Sequence, residues 1–122
     1  MTETPRERWV VLLHRAEEGS LYESAAMTAS ATSLGIAVTL VWFDAALDAL
    51  VSGALGEARD ESTAAALLAS ARATGLLRSL ACSASAVNRA GGVEAARPVV
   101  DDLVGWPTVI SLIRGATRSF VW

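Results

Sequence analysis

Few side chains in this sequence could do chemistry near neutral pH, and the two most reactive types occur once each: Cys82 and His14. Cys82 stands in Leu80-Ala81-Cys82-Ser83-Ala84-Ser85, where an apolar run gives way to small residues that open a helix. A thiol at such a turn faces free backbone amides and the positive end of the helix dipole, which stabilise a thiolate. Ser83 and Ser85 add hydroxyls beside it. The same position also suits a small buried residue that finishes a strand. Nucleophile and packing residue therefore both stand as readings of Cys82.

The other candidates also follow apolar runs. His14 could serve as a base or donate to a bound anion, or have no role, since no acid or second ligand lies beside it in sequence. Asp44, after Val41-Trp42-Phe43, reads as a helix cap, and Trp42 and Phe43 read as core. Trp106, in Gly105-Trp106-Pro107, lines a pocket or an interface. Arg89 pairs with an anion or faces solvent. Glu23 is accounted for by a capping box with Ser20. The chain has no Gly-rich phosphate loop, no CxxC, no HExxH and no spaced His/Cys set, so neither a metal nor a cofactor is expected.

These residues need elements to position them. Trp9 to Leu13 is a continuous apolar run, the mark of a strand buried on both faces. A helix is expected from Ser20 to Leu34, stopped by Gly35. Ile36 to Phe43 reads as a second strand, and Asp44 to Val51 as a short helix or turn. A loop over 53–60 follows, then a helix over Ser62 to Thr74 with Gly75 after it. Leu76 to Ala81 is the third strand and reaches Cys82-Ser83-Ala84-Ser85; a helix then follows to about Ala90, stopped by Gly91-Gly92. Pro98-Val99-Val100 could add a short extended piece. Pro107 opens a helix that Gly115 ends, and Arg118 to Trp122 is a last strand. Strands alternating with helices define an α/β fold: one domain, a mainly parallel sheet of four to five strands, helices on both faces. Residues 1–8 read as a disordered lead-in and 9–122 as the domain.

Composition narrows the function. The net charge is −3 and no basic stripe occurs, which argues against nucleic acid. The longest apolar run, Leu34 to Phe43, is too short to span a bilayer. No secretory signal is evident, and one cysteine allows no internal disulfide, so a cytoplasmic location is expected. Alanine-rich helix faces leave room for subunit contacts, and a homo-oligomer is expected.

From Trp9 to Trp122 the chain resembles the DsrE/DsrF-like sulfur-relay family. The likeness runs through the Ala-rich helix Ser20 to Gly35, the strand ending Val41-Trp42-Phe43-Asp44, and above all Leu80-Ala81-Cys82-Ser83-Ala84-Ser85 with Arg89-Ala90-Gly91. It extends to Val99 through Trp106 and to Ser119-Phe120-Val121-Trp122. The resemblance implies a five-stranded or similar parallel sheet and a trimeric or hexameric assembly. It also implies a cysteine, here Cys82, that accepts sulfur as a persulfide and passes it to a partner protein. This chain departs from the pattern in having no second cysteine and no basic surface for a carrier protein's tail. Two other readings stand beside it. In one, Cys82 is structural in a non-catalytic oligomeric binding module. In the other, it is a peroxide-reactive thiol that needs an intermolecular resolving thiol.

Overall fold

A computed structural model describes residues 7–89 and 91–122. The elements in chain order are β1 (Arg8–Leu13), α1 (Glu18–Ser33), β2 (Ala37–Trp42), α2 (Asp44–Ser52) and α3 (Ala64–Ala73). There follow β3 (Leu77–Cys82), α4 (Ser83–Val87), α5 (Gly92–Ala96), β4 (Asp102–Val104), α6 (Trp106–Gly115) and β5 (Arg118–Val121). The five strands form one parallel sheet in the order β4-β3-β2-β1-β5. The fold is the expected single-sheet α/β architecture.

The strand order dictates where the helices go. The steps β1 to β2 to β3 to β4 all run in one direction, so right-handed crossovers place their helices on one face. The step from β4 to β5 runs back across the sheet, which sends α6 to the other face. The core divides accordingly. On the first face, Val11, Leu13, Val38, Leu40, Trp42 and Ala81 meet apolar residues from α1, α2, α3, α4 and α5. On the second, Val10, Leu12, Val41, Phe43, Leu80, Cys82 and Val104 meet Val109, Leu112 and Ile113 of α6 alone.

Helix α1 packs beside α3 with a small-residue face. Its buried Ser24, Thr28 and Thr32 hydroxyls donate to the carbonyls of Leu21, Ser24 and Thr28 at 2.9, 2.8 and 2.9 Å. These short side chains satisfy themselves inside the helix and let it lie close to the sheet. Gly35 and Gly75 then reverse the chain after α1 and α3 at φ 87° and 78°.

Several sequence expectations shift. The lead-in over 1–8 falls mostly outside the described residues, but Arg8 already belongs to β1. The capping box at Ser20 does not form. Helix α1 begins at Glu18 with Glu17 as N-cap, no side chain caps it, and Ser20 lies inside its first turn. The Glu17 carbonyl accepts from Leu21 N–H at 3.0 Å, so the first turn closes earlier. Helix α3 starts at Ala64, where Thr63 caps by accepting from Ala66 N–H at 3.1 Å. Asp44 does not cap α2: Phe43 is the N-cap, and Asp44 enters the helix at φ 45°. Aspartate tolerates that left-handed conformation better than most residues. The Pro98 region is no strand but a 3-10 turn over Arg97–Val99, and the fourth strand comes later, at Asp102–Val104.

Candidate functional site

The register sets the candidates side by side. Leu13 pairs with Trp42, Trp42 with Ala81, and Cys82 with Val104. His14 and Phe43 each follow the last residue of their strand, so they stand abreast of Cys82 and Val104. Side chains alternate along a strand, and Leu12, Val41 and Leu80 belong to the second-face cluster. His14, Phe43 and Cys82 therefore share that face, at the carboxyl end of the sheet.

Three rings form a ladder along this rim. His14 stacks on Phe43 with centroids 4.6 Å apart and planes 12° from parallel. Phe43 stacks in turn on Trp106 at 5.2 Å and 29°. Phe43 follows β2 and Trp106 follows β4, while β3 runs between them. The two rings thus meet across the end of β3, where Cys82 sits. Cys82 is 4% exposed whereas Trp106 is 49% exposed. The thiol belongs to a buried cluster with Leu80, Val41, Val104 and Val109.

Polar groups gather one step outward. The Ser85 hydroxyl donates to Asp44 Oδ1 at 3.1 Å, so it is committed to that carboxylate. Arg89 holds Asp48 at 2.9 Å and lies 4.0 Å from Asp44. Ser83, half-buried, begins α4 with Cys82 as N-cap and no side-chain cap bond. Beside this group a cleft of about 630 Å³ is lined by Ala45, Asp48, Ala49, Asn88 and Arg89. A second cleft, about 440 Å³, opens between the ends of β1 and β5 against His14, Arg15, Ser20 and Trp122. There the chain changes direction across the sheet, the usual place for a ligand in an open α/β sheet.

The structure brings most of the sequence candidates to one rim, in two groups, with Ser83 beside them at the start of α4; Trp42 lies in the first-face core and Glu23 is exposed on α1. Cys82, Phe43, Trp106 and His14 form an aromatic group; Asp44, Ser85, Asp48 and Arg89 form an ionic one. His14 does not adjoin Cys82. Phe43 stands between them, and two strand spacings, ~9.5 Å, separate their backbones. Among the described residues no group of His, Cys, Asp and Glu could hold a metal. Sequence reasoning missed Phe43 as the link in the ladder and Asp48 as the partner of Arg89. Only the spacing of Asp44 and Asp48, one helical turn apart, hinted at the second.

No protein-family model matches this chain, and no curated protein matches it either. No described helix is long and apolar enough to cross a membrane.

Proposed function

We propose that this protein is a single-thiol sulfur carrier of the sulfur-relay type, with the sulfur held on Cys82. The observation that carries the reading is the cover over that thiol. Cys82 ends a strand at the rim and is buried, and beside it the half-exposed Trp106 stacks on Phe43 across the end of that strand, where we take it to be the thiol's movable cover. An aromatic pair contributes about 0.5–1.5 kcal/mol beyond its buried area. Swinging Trp106 off Phe43 thus costs about 1–1.5 kcal/mol, which leaves an open state populated at about 10%. Such a closed thiol is shielded from oxidants yet reachable by a partner that displaces the ring. The Cys82 thiolate would attack the outer sulfur of a donor persulfide, and the donor would leave as its own thiolate. An acceptor thiolate would then take the outer sulfur and restore Cys82. The donor and acceptor are proteins, and a reducing cytoplasm suits the free thiol.

Self-association belongs to the same reading. Trp106 and Ile110 lie one turn apart on α6, both about half exposed, and offer an apolar stripe to another copy. A homotrimer, or a hexamer built from it, is expected; a monomeric mass in light scattering at micromolar protein removes this part of the proposal.

A second reading is favoured by the burial of Cys82 itself: a non-catalytic binding module with the cysteine as packing. One experiment separates the two. Cys82 is alkylated with iodoacetamide and followed by intact mass, in parallel with exposure to a persulfide donor. The carrier reading expects slow alkylation of the native protein, raised about tenfold in Trp106→Ala, as for ~1.4 kcal/mol of lost cover. It also expects a stable gain of one sulfur atom that Cys82→Ser abolishes. Trp106→Phe should stay slow, which controls for unfolding. A thiol that reacts only after denaturation, in all three forms, leaves the binding module standing.

A further inference from the structure

The opposite end of the second face carries a groove unrelated to Cys82. A parallel sheet is ordinarily covered on both sides, and β2 is its central strand. Yet Ala37 and Thr39, at the amino end of β2, remain partly exposed. Helix α6 crosses this face alone and leaves beside it a cavity of about 260 Å³, lined by Arg8, Val10, Ala37, Thr39, Ser111 and Leu112.

The residues around that cavity have a definite chemistry. Thr39 pairs with Arg78 on β3 and with Val10 on β1. Leu80 and Cys82 lie on the second face, so Arg78, two residues before Leu80, projects from it too. Arg8 stands on the other side of β2, in register with Ala37. Arg8 lines the cavity together with Thr39 and Ser111, and Arg78, in register with Thr39, projects from the same face one strand beyond them. Among the described residues neither arginine forms a salt bridge, although Arg78 lies near enough to Asp101 to help lower its pKa. The nearby acids are engaged elsewhere. Glu7 accepts from the Trp9 indole at 3.2 Å, and Asp102 from Leu103 N–H at 2.8 Å. Asp101 accepts from Arg72 and from Ser79 N–H.

We infer that this groove binds a small molecule carrying one oxyanion, a carboxylate or a phosphate, on a short apolar body. The arginines receive the oxyanion through charge-assisted hydrogen bonds. Val10, Ala37 and Leu112 receive the apolar part. The volume lies just below that of common ligand sites, which limits the body to about one ring or a short chain.

The test uses the full chain, with 4-methylbenzoate, its uncharged amide 4-methylbenzamide, and inorganic phosphate as probes, followed by amide chemical shifts. Saturable shifts at Thr39, Arg78 and Ser111 are expected with 4-methylbenzoate. The amide should bind at least about tenfold more weakly, since it lacks the charge. Arg8→Gln and Arg78→Gln should each weaken 4-methylbenzoate by a similar factor; the thermal midpoint should hold in Arg8→Gln and fall only slightly in Arg78→Gln, which loses a charge near Asp101. Saturation by phosphate at the same residues would identify the oxyanion as the dominant element; phosphate failing where 4-methylbenzoate binds would assign that role to the carboxylate with its ring. Equal binding of acid and amide overturns the proposal. So do shifts scattered over the surface, or no saturable shift from any probe up to about 10 mM.

Discussion

The two faces of the sheet are built differently. The first face is covered by helices from three successive crossovers, and its core includes the fully buried Leu13, Leu40, Trp42 and Leu47. Its buried hydroxyls, those of Ser24, Thr28 and Thr32, are spent on structure, bonding within α1. The second face has one helix over a smaller cluster. At its carboxyl rim it gathers His14, Phe43, Cys82 and Trp106, and at its amino end Arg8, Thr39 and Arg78. One face supplies stability and the other leaves its edges open for contact. The cause is topological, because a single return crossover cannot cover what three crossovers cover on the other side.

The largest effect that can break this comparison is a pair of truncations. Leu40→Ala empties a fully enclosed site on the first face and should cost about 2–5 kcal/mol, read by chemical denaturation. Leu112→Ala, on the partly buried side of α6, should cost less, about 1–2 kcal/mol, because that side chain is only partly buried and leaves no enclosed cavity. Equal losses would mean that α6 holds the fold as firmly as the other helices together, and the division of labour between the faces would fall.

Much of this architecture was readable from the chain. Trp9 to Leu13 is a continuous apolar run because a parallel strand is buried on both faces, β2 is rich in β-branched and aromatic residues, and Gly35 and Gly75 marked the helix ends. The fourth strand was not. Val99 and Val100 attract a strand assignment by propensity, but Pro98 sits in a 3-10 turn, and only Asp102–Val104 reaches β3. Tertiary pairing, not local preference, decides a strand of three residues. The rim followed the same pattern. Alternating strands and helices placed His14, Asp44, Cys82 and Trp106 at strand ends. That Phe43 separates His14 from Cys82, and that Trp106 reaches across β3, depends on the strand order. Crossover direction sets that order, and no local motif records it.

The short fourth strand also supplies the finest test, because its anchor lies on the first face while the helix it launches covers the second. Asp101, just before β4, accepts from Ser79 N–H at 2.7 Å and from Arg72 of α3 at 3.1 Å. Its own N–H donates to the Ser79 carbonyl at 2.8 Å. Burial alone would raise its pKa, but the Ser79 amide, Arg72 and the nearby Arg78 outweigh it and hold the carboxyl below its ordinary value of 3.8. A depressed pKa means that the folded state favours the ionised form. The stabilisation is then complete above the unfolded value and disappears as pH falls through the folded one. Asp101→Asn should therefore cost about 1 kcal/mol at pH 7, the scale of a hydrogen bond to a charged group discounted for partial exposure. The difference from wild type should shrink steadily once pH drops below 3.8. Because β4 positions Trp106, the same variant should also quicken Cys82 alkylation at pH 7, by less than Trp106→Ala does. A loss of stability with no change at the thiol would show that the clamp secures only the first face, and that the cover over Cys82 is held by the Phe43 stack alone.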